Sequence, residues 1–194
     1  MNDAKIDELC QRIYKNHRQA LDLIFEKAGA LSSGILADVE SAVTEDKRWA
    51  VVHRSPSYVD FLPAHWLEVF PALTEEYVDA RAWLACRFEV RERRLDYYVE
   101  LKPMSDVTLR RKIAESLLAS GTKFGFERKQ TRQAKDNYTR VSGRERVLEW
   151  TDDGDPDPVA LREKVSAKLN AVFPRLENLP ATLFPLIASG DSPK

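Results

Sequence analysis

Between residues 83 and 102, apolar and polar positions alternate in two runs that are separated by a few polar residues. The apolar positions of the two runs are Leu84, Cys86, Phe88 and Val90, followed by Leu95, Tyr97, Val99 and Leu101. A period of two is typical of strands that turn one side towards a core. The pattern therefore predicts an antiparallel hairpin with an apolar face and a charged face, the latter turned towards water or a partner.

Elsewhere, apolar residues recur every three or four positions, which is the spacing of a helix with one buried side. The predicted helices cover residues 3–27, 33–43, 64–79, 107–119 and 158–173. Asp106 suits an N-cap and Pro158 suits a first helical turn, so both support the starts of the last two helices. The remaining predicted strands cover residues 49–53 and 58–61, and a second hairpin pairs 123–129 with 138–149.

These elements predict an α+β fold in which an antiparallel sheet of two hairpins, 83–102 and 123–149, is packed on one face by three to five helices. A chain of 194 residues suits one domain, which we place at 1–188, with a disordered tail at 189–194. No apolar run approaches the roughly 20 residues of a membrane span. We therefore expect no membrane among the protein's partners. Cys10 and Cys86 lie far apart, without a CxxC pair, which favours a reduced, cytoplasmic protein.

Charge is spread unevenly along the chain. The net charge is −1, yet residues 81–150 hold 17 Lys and Arg against 10 Asp and Glu. A basic central segment between acidic ends is typical of a protein that binds a polyanion. The same asymmetry also fits two parts of one fold that attract each other.

The basic character is strongest in residues 123–146, where eight Lys and Arg face three acidic residues and are interleaved with Phe124, Phe126 and Tyr138. Exposed rings stack on nucleic-acid bases while Arg and Lys bind phosphates. The candidate nucleic-acid-binding residues are Arg128, Lys129, Arg132, Tyr138, Arg140, Arg144 and Arg146. The alternative is that the rings face the core and the charges are only solvated.

Several segments resemble one known group of proteins. They are Tyr14–Asp22, Tyr58–Trp66, a hairpin ending in Tyr98–Pro103, the basic run Arg110–Lys112, and Phe173 with Pro174. Over about residues 10–176, the order of elements and several aromatic positions resemble the C-terminal accessory region of uncharacterised bacterial and phage proteins of the PD-(D/E)XK nuclease superfamily. The resemblance implies a setting in nucleic-acid processing or phage defence. It does not imply an activity, because that accessory region is separate from the catalytic core.

The segment Glu100-Leu101-Lys102 also matches the ExK half of a PD-(D/E)XK site. In a magnesium-dependent nuclease, Asp79 and Glu100 would bind Mg²⁺ and Lys102 would orient the attacking water. Against this, no Pro-Asp pair precedes Glu100, and the one such pair, Pro156-Asp157, comes later. Alternation already turns Glu100 and Lys102 outwards, where cross-strand ion pairs and solvent explain them.

Other chemistry has little support in the sequence. His17, His53 and His65 lack the spacing of metal ligands, and His17 lies on an apolar stripe that predicts burial. No phosphate-binding glycine loop is present, so we expect no cofactor beyond the Mg²⁺ of the nuclease alternative. The leading hypothesis is a non-catalytic module that binds nucleic acid or a nucleic-acid-processing protein. The remaining alternative is an assembly subunit without nucleic-acid affinity, as a homodimer or with a partner, that uses the aromatic segment 58–66.

Overall fold

We describe the fold from a computed structural model of the chain. The described residues are Lys15, His17, 34–69, 83–104, 106–119, 138–151, 155–179 and Leu183. Within these ranges the chain forms an open antiparallel sheet of six strands with four helices against it. The α+β prediction is therefore confirmed. The predictions for most of helix 3–27, for residues 70–79, for the strand at 123–129 and for the tail at 189–194 lie outside the described residues.

The strands follow one another as a meander. Their bounds are β1 (Trp49–Arg54), β2 (Tyr58–Pro63), β3 (Leu84–Arg91), β4 (Arg94–Leu101), β5 (Thr139–Arg140) and β6 (Glu145–Glu149). Neighbours pair in the order β1-β2-β3-β4-β5, and β6 also pairs with β4. The predicted hairpin at 83–102 is confirmed as β3–β4. The prediction of a two-hairpin sheet omitted β1 and β2, which the structure adds to the same sheet.

Strands β5 and β6 occupy one position in the sheet, along opposite ends of β4. The interruption between them comes at Ser142 and Gly143. There the backbone N–H of Val99 donates to the Ser142 hydroxyl, 2.7 Å away, rather than to a main-chain carbonyl. The side chain thus replaces a ladder hydrogen bond, and the loop that carries Arg144 stays attached to β4.

The helices begin close to where their sequence signals predict. Their bounds are α1 (34–45), α2 (Trp66–Val69), α3 (Val107–Ala119) and α4 (Pro158–Leu176). The Asp106 carboxylate accepts from the N–H of Leu109 at 2.8 Å, and Asp157 caps α4 with Pro158 in its first turn. Both starts are confirmed. No helix in the described ranges has the length and apolar character that would let it cross a membrane.

The hydrophobic core lies between the apolar face of the sheet and helices α1, α3 and α4. At its centre the rings of Phe61 and Phe88 stack with centroids 4.9 Å apart. Cys86 is buried beside them, as predicted for a core thiol. His17 was predicted to be buried, but it is helical and exposed. The prediction is wrong because an apolar stripe in the sequence does not show which part of the stripe packs against another element.

Candidate nucleic-acid interface

The opposite side of the sheet carries a row of polar side chains across three strands. In the strand register Asp60 on β2 faces Arg87 on β3, and Arg87 faces Tyr98 on β4. Asp96 and Glu100 lie on the same side of β4, two residues either way from Tyr98, because side chains alternate along a strand. We call this side of the sheet the polar face.

Asp60 is the most enclosed charge on the polar face. Its Oδ1 lies 2.6 Å from Nε of Arg87, and its Oδ2 lies 2.6 Å from Nζ of Lys102. Arg87 also reaches Oε2 of Glu100, 3.0 Å from Nη1. One arginine therefore joins two carboxylates on different strands, and Lys102 completes the pairing of Asp60.

The expectation that Glu100 and Lys102 are solvated is wrong. Asp60 is fully buried, Lys102 is 3% exposed and Glu100 is 8% exposed. The cross-strand pairing predicted for them is present, and it allows their burial because each charge meets an opposite charge with which it forms short contacts.

A second group of charges lies towards the hairpin turn. Glu89 binds Nε of Arg91 at 2.9 Å and Nη2 of Arg144 at 2.8 Å. Asp96 lies 3.2 Å from Nε of Arg94 and 3.6 Å from Nη1 of Arg144. Arg144 thus ties the loop between β5 and β6 to carboxylates on β3 and β4.

Every carboxylate of the polar-face network lies close to at least one cation. Asp60, Glu89 and Asp96 each pair with two cations. The fourth carboxylate, Glu100, pairs with Arg87, and the positive charge of Arg140 is close enough to lower its pKa. Among the described residues the network joins six cations to four carboxylates. The cations are Arg87, Arg91, Arg94, Lys102, Arg140 and Arg144, and the carboxylates are Asp60, Glu89, Asp96 and Glu100.

Tyrosine rings cover these charges. The guanidinium carbon of Arg87 lies 3.6 Å from the centroid of the Tyr58 ring. The corresponding distances to the Tyr98 ring are 4.6 Å for Arg140 and 5.0 Å for Arg144. Stacking of guanidinium planes on aromatic rings is favourable and shields both from water. This stacking helps to explain why a face with so many charges is buried.

The pKa values of two network members reflect this crowding. Burial raises the pKa of Glu100, and the positive charge of Arg87 only partly opposes that rise. Burial lowers the pKa of Arg140, and the charge of Arg144 lowers it further. The two neighbouring guanidinium groups therefore repel each other at the edge of the sheet, and the nearby carboxylates of Glu100 and Glu89 oppose this lowering of the Arg140 pKa.

Four of the predicted nucleic-acid-binding residues lie within the described chain, and the structure brings them to one edge of the sheet. Arg128, Lys129 and Arg132 lie outside the described residues. We call the four described residues the cationic edge: Tyr138, Arg140, Arg144 and Arg146. Tyr138 is 55% exposed, so its ring does not face the core. Arg146 pairs with Glu149 on the exposed side of β6.

Two of the three residues of the nuclease alternative, Glu100 and Lys102, lie within the described chain. Asp79 lies outside it, and Glu100 and Lys102 share a face as predicted. The acid that meets Lys102 is Asp60, and the Arg87 guanidinium lies between Asp60 and Glu100, where a cation bridging the two would be. Across the described ranges no three His, Cys, Asp or Glu side chains group in a way that could hold a metal ion. The prediction that pairs Asp79 with Glu100 lies outside the described residues and stays a prediction.

Comparisons with protein-family models, with curated proteins and with solved structures give no significant match to this chain.

Proposed function

We propose that the protein is a non-catalytic module that binds nucleic acid through the cationic edge. The observation that carries this proposal is the gathering of basic and aromatic side chains at one edge of the sheet. The guanidinium groups of Arg140 and Arg144 both lie over the Tyr98 ring, and the ring of Tyr138, two residues before Arg140, is 55% exposed.

A phosphate group is the chemistry that such an edge favours. Guanidinium groups bind phosphate oxygens with paired hydrogen bonds, and a backbone of phosphates satisfies several of them at once. The basic stretch in residues 123–146 extends the same charge along the sequence. Binding also releases counterions, which makes the affinity fall as salt rises.

The proposal is for binding without catalysis, because the two most central carboxylates of the described polar face are already paired with cations. Asp60 is held by Arg87 and Lys102, and Glu100 is held by Arg87. The resemblance in residues 10–176 supports a setting in nucleic-acid processing or in conflict between phage and host. A nucleic-acid-processing protein with an acidic surface is the partner to test if nucleic acid itself does not bind.

The test is fluorescence anisotropy with labelled oligonucleotides and three proteins: the wild type, the double variant Arg140→Gln/Arg144→Gln, and Arg162→Gln as control. Arg162 on α4 is a matched control because it also pairs with two carboxylates, Asp38 and Glu45, away from the polar face. We expect the double variant to lose about tenfold or more in affinity, while Arg162→Gln stays within about twofold of the wild type.

A single Arg140→Gln variant keeps the test interpretable, because Arg144 also holds the loop between β5 and β6. Circular dichroism and the melting temperature establish that each variant is folded. Wild-type protein that binds no oligonucleotide at low salt would overturn the proposal. A folded double variant with wild-type affinity would overturn it as well.

A further inference from the structure

Tyr138 is unusual among the large hydrophobic side chains. Within the described residues four such side chains are exposed, and Tyr138 is the one aromatic among them. The other three are Leu67, Val107 and Val159. An exposed ring has a face available to stack, which an exposed aliphatic side chain lacks.

The strand register places Tyr138 close to Arg140, another member of the cationic edge. It directly precedes β5 and lies two residues before Arg140, which faces Glu100 across the ladder. Alternate residues of an extended chain point to the same side and are roughly 7 Å apart. Tyr138 and Arg140 therefore share the polar face.

Tyr58 gives independent support for this placement. Its ring lies on the polar face, over Arg87. The pKa of Tyr58 is raised mainly by burial, Arg87 opposes the rise, and the Tyr138 phenol is near enough to add to it. The phenol of Tyr138 therefore lies within electrostatic reach of the Tyr58 phenol.

We infer that the ligand of the cationic edge is single-stranded nucleic acid, with one base stacked on Tyr138 and the neighbouring phosphates on Arg140 and Arg144. This inference rests on the proposed function and specifies its ligand. In a duplex the faces of the bases are covered by their neighbours, so a ring on the protein surface gains nothing from them. In a single strand an unpaired base stacks on the ring, and the guanidinium groups bind the phosphates that flank it.

Three ligands of equal length separate the contribution of stacking from that of charge: a single-stranded oligonucleotide, the same sequence as a duplex, and an abasic strand that keeps only sugars and phosphates. Each is titrated against the wild type, Tyr138→Ala and Tyr138→Phe. Because Tyr138 is exposed, neither substitution removes a core contact. Tyr138→Phe is the matched control, since it keeps the ring and removes the hydroxyl.

We expect Tyr138→Ala to weaken binding of the single strand by between about fivefold and a hundredfold. Its affinity for the duplex and for the abasic strand stays within about twofold of the wild type, and Tyr138→Phe binds all three like the wild type. Equal loss for the abasic strand, or no loss for the single strand, would overturn the inference while leaving the proposed function intact. Failure of the wild type to bind any of the three would overturn both.

Discussion

Arg87 donates two hydrogen bonds to Asp60: Nε lies 2.6 Å from Oδ1 and Nη2 lies 3.0 Å from Oδ2. The two residues face each other on β2 and β3, and the carboxylate is completely buried. A planar two-point contact of this kind fixes the orientation of both side chains. Arg87 is thereby held in place to reach Glu100 and Tyr98, and this pair is the centre of the polar-face network.

Removing Asp60 leaves Lys102 and part of Arg87 buried without an opposite charge. We expect Asp60→Ala to lower the free energy of unfolding by about 3–5 kcal/mol. Urea denaturation followed by circular dichroism measures this loss. The control is Glu149→Ala, which breaks the exposed pair with Arg146 and is expected to cost no more than about 1 kcal/mol. Equal losses in the two variants would show that the buried network adds nothing to stability.

The raised pKa of Glu100 predicts an unusual dependence of the protein's stability on pH. Burial raises the pKa of Glu100 in the folded protein above its ordinary value of 4.5. As pH rises past that value, the unfolded chain loses its proton first, so the folded state loses stability until its own raised pKa has been passed. Glu100→Gln removes this loss.

We therefore expect Glu100→Gln to match the wild type below about pH 4 and to gain stability relative to it as the pH rises towards neutral. Urea midpoints of both proteins across this pH range measure the difference. A variant that becomes less stable than the wild type as the pH rises would mean that the ion pair with Arg87 outweighs burial.

Arg110 joins α3 to the end of β4. It is 1% exposed, and its guanidinium donates to the carbonyls of Lys102 and Leu101, at 2.8 and 3.2 Å, and to the hydroxyl of Thr139, at 3.1 Å. We expect Arg110→Met to destabilise the protein by about 3 kcal/mol, because it leaves buried acceptors without donors. The exposed neighbour Lys112, changed to Met, serves as control and should alter stability by less than about 1 kcal/mol. The comparison again uses urea denaturation, and similar losses would contradict this role for Arg110.

The turn between β3 and β4 contains a strained residue. Arg91 and Arg94 pair across it, and Glu92 has a φ of 51°, the one positive value at a non-glycine residue in the described chain. Glycine adopts this conformation without the steric penalty of a side chain. We expect Glu92→Gly to stabilise the protein by about 1 kcal/mol in thermal or urea unfolding. Arg93→Gly, in the same turn but without a positive φ, should be destabilising, and a gain there would undermine the explanation.

Local periodicity predicted much of the fold. The spacing of Ile35, Leu36, Val39 and Val43 predicted α1, and all four side chains are buried. Alternation likewise predicted β3 and β4 and which side chains share a face. These features depend on neighbours along the chain, which a sequence displays directly.

Burial of the polar face could not be predicted in the same way. Alternation assigns Arg87 and Glu100 to one face, but whether side chains from other strands cover that face depends on contacts distant in sequence. Asp60 is 27 residues from Arg87 and 42 from Lys102. The burial of Arg110 did have a signal in the sequence. Arg110 lies three residues before Ile113 and seven before Leu117, on the side of the helix where those two are buried.

The most direct test of the central claim is the salt dependence of oligonucleotide binding. The affinity of wild-type protein for a labelled single strand is measured from about 50 to 300 mM salt, alongside Arg140→Gln/Arg144→Gln. We predict steep weakening with salt for the wild type, and a slope of log affinity against log salt that is shallower by about 1.4 for the double variant, since each lost phosphate contact removes about 0.7. Affinity that does not change with salt, or an unchanged slope in the folded variant, would contradict the account.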